Sequence, residues 1–184
     1  MPAAMPPEIT TTASRIAYEN RWMRVREDRI RHADGSPGLY GVVEKRDFAV
    51  IVPLEADGRL HLVQQYRYAV GARQWEFPQG LSDPGEADLL ACARRELREE
   101  TGLEAERLEA AGRLFLAAGF STQAYAVVLA TGLARGAAAL DQEEQGLIAR
   151  DFALAEVEAM LRDGRIRDAT SMAAFGLLRL QGRL

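Results

Sequence analysis

A single cysteine, Cys92, and two histidines, His32 and His61, are spread through 184 residues, and this scarcity closes off whole classes of chemistry. One thiol makes neither an internal disulfide nor a multi-thiolate zinc site. Two histidines are too few for a histidine-rich metal centre. Lysine is nearly missing as well: Lys45 is the only one among 23 basic side chains, set against 27 acidic ones, for a formal net charge of −4. That balance offers no general basic surface, so tracking nucleic acid through its phosphates is not the expected role. No apolar run approaches the ~20 residues of a membrane span. The Pro/Ala/Thr-rich start lacks the charged and apolar regions of a signal peptide. It reads as a disordered leader over residues 1–13 of a cytoplasmic protein.

What is present is a globular composition, 48% apolar and 27% charged, long enough for one domain with a small appendage. Residues 14–46 read as strands, at Ile16–Glu19, Trp22–Arg31 and Leu39–Arg46, with a turn at Ala33–Gly38. Met23 and Val25 alternate with Arg24 and Arg26, the period of a half-exposed strand. Residues 47–184 then mix strand and helix patterns. Phe48–Leu54 is continuously apolar, as in a buried strand, and Leu60–Tyr66 is its hairpin partner across Ala56-Asp57-Gly58. A short strand at Gln74–Phe77 closes on Pro78-Gln79-Gly80. Strands follow at Arg107–Leu116, Gln123–Ala130 and Gly146–Phe152, with a loop over Thr131–Asp141. Helices are expected at Ala87–Thr101, ended by Gly102, at Leu154–Arg162 and at Thr170–Arg179. The fold class is α/β (α+β): a mixed sheet with helices packed on it, plus the small antiparallel appendage.

The segment that carries chemistry is Gly80–Leu103. On its helix Glu96, Glu99 and Glu100 stand at i, i+3 and i+4, within one arc of about 100°. Carboxylates crowded on one face repel unless a cation neutralises them, and hard divalent ions such as Mg²⁺ or Mn²⁺ favour oxygen ligands. Leu90, Ala93 and Leu97 are placed to anchor the helix. The bland alternative is a solvated acidic face whose ion pairs, such as Arg95 with Glu99, carry no chemistry.

Residues Arg95-Glu96-Leu97-Arg98-Glu99-Glu100-Thr101-Gly102-Leu103 match the second half of the Nudix box letter for letter, and Gly80 and Glu86 have the spacing of its first half. Eight residues, where the box has seven, separate Glu86 from Arg95. Val63-Gln64-Gln65-Tyr66-Arg67-Tyr68, Trp75-Glu76-Phe77-Pro78-Gln79-Gly80 and Asp163–Thr170 resemble the ADP-ribose pyrophosphatase branch. So does the strand-rich N-terminal segment, and the resemblance runs over Ser14–Leu180. Two positions depart from it. The proline that the family places past the box is Ala118, within Ala118-Gly119-Phe120-Ser121, and a glutamate soon after it is Gln123.

The resemblance implies a Nudix-type α/β/α sandwich and a metal-dependent pyrophosphohydrolase. Its best substrate is ADP-ribose, split to AMP and ribose 5-phosphate, with two or three Mg²⁺ or Mn²⁺ ions per site. Glu96 and Glu100 are the leading ligands, Glu99 shares or bridges, and the Gln79 carbonyl and Glu86 complete the metal set. Catalytic roles fall to Glu99, to Arg95 as the residue that orients the cluster, and to Glu143 or Glu144 as proton acceptor, Glu143 preferred. Arg67, Trp22, Gly119 and Phe120 are the candidate substrate contacts. Arg67 is equally an ordinary strand arginine, and an aromatic at a strand position such as Trp22 is more often a core or interface residue. The expected partners are a nucleotide-derived small molecule and a second copy of the chain in a homodimer. Other readings stay open: another nucleotide sugar, a dinucleoside polyphosphate, an RNA 5′ end, or a weakly catalytic nucleotide-sensing module.

Overall fold

The computed structural model describes residues 7–86, 88–136 and 146–184. Glu143 and Glu144 lie outside the described residues. The described chain divides into two compact units, residues 7–46 with Phe115–Ala124, and Asp47–Leu114 with Tyr125–Leu184.

The first unit is an antiparallel sheet of β1 (Ile9–Glu19), β2 (Arg24–His32) and β3 (Pro37–Glu44), in the order β1-β2-β3. β1 begins at Ile9, so residues 9–13, expected as part of a leader, are strand, and the strand expected at Ile16–Glu19 is longer. Thr10 and Thr11 pair with Arg31 and Ile30 of β2, and β-branched residues suit that extended pairing. Every residue of β1 is exposed, so no alternation of apolar and polar residues advertised the strand. Trp22 lies in the turn before β2, where the Asn20 side chain accepts the backbone N–H groups of Trp22 and Met23 at 2.8 and 2.9 Å. Phe115–Ala124 make the second piece of the unit. There the Val43 N–H donates to the Phe120 carbonyl at 2.7 Å and the Ser121 hydroxyl donates to the Val43 carbonyl at 3.0 Å.

The second unit is built on β4 (Phe48–Pro53), which is wholly buried. It pairs in parallel with β9 (Ala124–Arg135) and antiparallel with β7 (Gln79–Leu81); β8 (Leu103–Phe115) completes the order β7-β4-β9-β8. A second sheet runs β10-β5-β6, from β10 (Ile148–Ala153), β5 (Arg59–Arg67) and β6 (Ala72–Glu76). A strand sends alternate side chains to opposite faces, and β4 therefore feeds two cores. Ala49 and Ile51 pack with Cys92, Ala93 and Leu97 of α1 (Leu89–Thr101). Phe48, Val50 and Val52 join Val157 and Met160 of α2 (Leu154–Arg162), and Phe175 and Leu178 of α3 (Ala169–Leu180). The result is the expected α/β/α arrangement. No helix among the described residues is long and apolar enough to cross a membrane.

Several boundaries move. The helix starts at Leu89, not Ala87, because the Asp88 carboxylate caps it by accepting the Leu90 N–H at 2.9 Å. Leu90 is exposed, and Cys92 takes the buried position beside Ala93 and Leu97. The Gln79–Leu81 segment is a strand on the edge of β4, where a closing turn was expected. β9 runs on through Arg135, although its Gly/Ala-rich end reads as a loop. Gly132 sits there at φ +66°, where a Cβ would come within 2.7 Å of the Glu106 side chain, so glycine lets the strand continue.

The end of β6 is held from below by α3. Asp168 caps this helix, its carboxylate accepting the Ser171 N–H at 2.8 Å and the Ser171 hydroxyl at 2.7 Å. The Ser171 oxygen in turn accepts the buried Phe77 N–H at 2.8 Å. Ser171→Ala is expected to leave that N–H without its acceptor and to destabilise the protein by about 1–3 kcal/mol, read as a lower urea midpoint with unchanged slope.

Candidate active site

The carboxylate helix faces the strand that passes beneath it. Glu96 and Glu100 are 6% and 3% exposed, on the same side of α1 as its core residues. The Gln79 N–H donates to Glu100 Oε2 at 3.0 Å. Beside it, Gly80 carries no side chain, and the Glu96 carboxylate fills that space. A Cβ on residue 80 would fall 1.9 Å from Glu96 Cδ and 2.1 Å from either oxygen. The glycine is needed for this approach and not for an unusual backbone angle.

Arg95 binds the cluster together. Its Nη1 donates to Glu96 Oε1 at 2.7 Å and to Glu99 Oε2 at 2.9 Å, and its Nη2 donates to the Leu81 carbonyl at 2.9 Å. Asp83 and Glu86 stand further off, at 3.6 and 3.9 Å. Burial works against the charge on Arg95, but Glu96 and Glu99 more than offset it and hold the guanidinium above its ordinary pKa. The Glu86 carboxylate folds onto its own loop, accepting the Asp83 N–H at 2.9 Å. Among the described residues, Glu86 meets the cluster through its long contact with Arg95.

A second polar group adjoins Gln79. The Glu76 carboxylate, 1% exposed at the end of β6, accepts from Arg67 Nε at 3.2 Å and from the Gln79 side-chain amide at 3.1 Å, with Arg67 Nη2 at 2.8 Å from its other oxygen. The same Gln79 amide lies 3.5 Å from Asp168. Burial pushes the Glu76 carboxyl above its usual range, and Arg67 pulls it part of the way back. The sequence does not mark Glu76 or Asp168 as site residues. Both stand inside the motif segments, but a lone carboxylate has no periodicity to mark it, and only the fold brings them to Gln79.

The structure thus brings together Arg67, Gln79, Arg95, Glu96, Glu99 and Glu100, with Glu86 at the margin. Trp22, Gly119 and Phe120 belong to the N-terminal unit. Trp22 is partly exposed under the Arg21 guanidinium, 3.9 Å from the ring centroid, and Gly119 and Phe120 are exposed in the turn after residue 117. Gln123 is buried in the same unit and donates its side-chain amide to the Arg46 carbonyl at 2.6 Å. A carboxylate lacks that donor, which is a structural reason for glutamine there. Trp75 packs edge-on against Phe152, with ring centroids 5.0 Å apart.

Residues 44–175 match the NUDIX domain family, and residues 9–43 match the nucleoside diphosphate sugar hydrolase N-terminal domain. The chain belongs to the Nudix family. It is 33% identical to the ADP-ribose pyrophosphatase of Mycobacterium tuberculosis over 168 residues, 90% of this chain and 81% of that protein. It is 27% identical over 180 residues to the methanol dehydrogenase activator of Bacillus methanolicus, covering 96% of each. Among solved structures, a crystal structure of an ADP compounds hydrolase superposes with a TM-score of 0.85 at 26% identity, over 97% of this chain and 98% of that one. The protein is a Nudix hydrolase of the pyrophosphatase type.

Two outcomes follow for this Nudix site. In Gly80→Ala the Glu96 carboxylate, the far end of a flexible side chain, has to swing aside. Cooperative unfolding is expected to stay close to the parent while hydrolysis falls by about tenfold or more, as measured by steady-state kinetics beside thermal melts. Burial, with Glu96 nearby, pushes the Cys92 thiol up to about 12. At pH 8 it is therefore protonated as well as enclosed. A chromogenic disulfide reagent is expected to titrate no thiol in the native protein and one after denaturation in guanidinium.

Proposed function

We propose that the protein hydrolyses the pyrophosphate of a nucleoside diphosphate joined to a second moiety, with ADP-ribose as leading substrate and AMP and ribose 5-phosphate as products. The observation that carries this reading is the burial of Glu96 and Glu100 against the Gln79–Gly80 backbone, with the Gln79 side chain sharing the Glu76 carboxylate with the Arg67 guanidinium. It is supported by the likeness to an ADP-ribose pyrophosphatase along most of the chain. We place the enzyme in the cytoplasm, as a homodimer.

Divalent cations fit this site by donor chemistry. Glu96, Glu99 and Glu100 offer hard oxygens on one helix face, and Gly80 leaves room for the Glu96 carboxylate. Among the described residues no three acidic, histidine or cysteine side chains already converge on one point, and Arg95 stands between Glu96 and Glu99 as their present counter-charge. Glu96, Glu99 and Glu100 would hold Mg²⁺ or Mn²⁺, two or three ions with the Gln79 carbonyl and Glu86 as further candidate ligands. Bound there, the ions neutralise pyrophosphate charge and acidify an attacking water.

The chain's own residues supply the rest. Arg67 binds phosphate oxygens through its guanidinium, and the Gln79 N–H holds Glu100 in place. Arg95 keeps Glu96 and Glu99 aligned without touching substrate. Water adds to one phosphorus, the bond from that phosphorus to the bridging oxygen breaks, and the second phosphate leaves with that oxygen. The proton of the water passes to a carboxylate, for which Glu143, and after it Glu144, is the candidate in the sequence. Trp22 is the candidate for nucleobase contact, and Gly119 and Phe120 are candidates for substrate contact. Ala118, in place of the family proline, favours testing other nucleoside diphosphate derivatives beside ADP-ribose.

With Mg²⁺ or Mn²⁺ present, AMP release from ADP-ribose is expected, and Glu100→Gln, whose amide oxygen can still accept the Gln79 N–H, should lose at least about a hundredfold of it. Full activity in excess chelator would remove the metal mechanism. Tight nucleotide binding with no turnover across a panel of nucleotide sugars, dinucleotides and capped RNA would instead identify a sensing module.

A further inference from the structure

Glu76 is a buried carboxylate that the hydrolytic reading leaves without a task. It is surrounded by donors from two directions. Gln65 and Arg67 reach it from β5, and Gln79 reaches it from the strand beneath the carboxylate helix. The register explains the first pair. Val63 stands opposite Glu76, Gln65 opposite Gln74 and Arg67 opposite Ala72, so Gln65, Arg67 and Glu76 lie on one face of the β5–β6 hairpin.

The geometry of Arg67 is the informative part. A guanidinium has five N–H groups and two edges on which it can make paired hydrogen bonds. Here the side edge is turned on Glu76: Nε donates to one oxygen at 3.2 Å, and Nη2 stands 2.8 Å from the other as an ion-pair contact without hydrogen-bond alignment. The end edge, Nη1 with the outward side of Nη2, has no hydrogen-bond partner among the described residues, and the side chain is 41% exposed. Glu76 itself is 1% exposed, so it cannot meet substrate in Arg67's place. A buried carboxylate costs free energy that a neutral side chain would not, and what it accomplishes here is to fix the direction in which the guanidinium points.

We infer that Glu76 is a positioning residue for the hydrolysis: by holding the side edge of Arg67 it aims the end edge as a preset fork for two oxygens of the substrate's pyrophosphate. The Gln79 amide on the same carboxylate ties this fork to the residue whose backbone N–H holds Glu100. Fork and carboxylate helix are thereby set at one spacing, and less ordering remains to be done when substrate binds. This inference rests on the proposed pyrophosphohydrolase reading, since a phosphate-bearing ligand is what the fork is for.

The test is a mutant cycle on the full-length protein with Mg²⁺ present. Parent, Glu76→Gln, Arg67→Ala and the double variant are compared by ADP-ribose kinetics and by calorimetric binding of inorganic pyrophosphate. Glu76→Gln is expected to raise KM and the pyrophosphate Kd by about tenfold, with kcat changed by less than about threefold. In the Arg67→Ala background the same change should add nothing, because Glu76 acts through Arg67. Additive losses, or an unchanged KM and Kd in Glu76→Gln, overturn the assignment. If Glu76→Gln does not fold, Arg67→Lys decides. Lysine keeps the ion pair at a half-exposed position but has only one donor centre, so stability should hold while KM and Kd rise about tenfold; parent-like binding overturns the fork. Absence of turnover with any nucleoside diphosphate derivative, alongside an intact pyrophosphate coupling, would defeat the proposed function and leave the positioning role standing.

Discussion

Most of this site depends on one close approach, the packing of the Glu96 carboxylate onto the backbone at Gly80. Without a Cβ at residue 80, a charged helix face can lie against a strand edge and still keep its carboxylates out of bulk water. Burying such charges is costly unless each is paired and hydrogen-bonded. The neighbouring residues meet that requirement. The Gln79 N–H serves Glu100, and Arg95 serves Glu96 and Glu99 together. The acidic face is therefore a supported internal surface, unlike the flexible side chains of an ordinary solvated helix.

The sheet explains why the approach is reproducible. β7 carries Gln79 and Gly80 at the edge of β4, and β4 is anchored on both faces, by α1 on one side and by α2 and α3 on the other. Strand alternation allows one buried strand to set both cores. On the α3 side, the chain from Asp168 through Ser171 to the Phe77 N–H fixes the segment just before Gln79. A residue in the helix cap near the end of the chain thus helps place the residue that supports Glu100. This dependence is structural, carried by hydrogen bonds between packed elements.

Wherever a local rule applies, the sequence was a good guide. Phe48–Pro53 shows itself as a buried strand by its apolar run, and the glutamates of α1 by their i, i+3, i+4 spacing. The α/β/α class follows from the order of such segments. Legibility failed where stability comes from a partner far along the chain. β1 has no buried face, so its threonines carry no pattern, and it exists through pairing with β2. The Gly/Ala-rich end of β9 reads as a loop because its strand character comes from its neighbours. Spacing alone points Leu90 inward, but the Asp88 cap sets the helix start and Cys92, not Leu90, turns to the core from its first turn. At Gln123, where the family has a glutamate, the Arg46 carbonyl needs the donor that only the amide supplies.

By itself the sequence determined the reaction chemistry that is available. With one thiol and two histidines, hard oxygen donors have to come from elsewhere, and the box sets three glutamates on one helical face, since that spacing is a property of any α-helix. Tertiary structure alone decided what those carboxylates meet. It put Gly80 under Glu96, turned Arg95 back on its own helix, left Glu86 at the margin, and brought Glu76 from β6 against Arg67 from β5. Helical spacing is local and can be read from the order of residues. Which strand edge lies beneath a helix, and which edge of a guanidinium is already taken, depends on contacts between segments that only folding brings together.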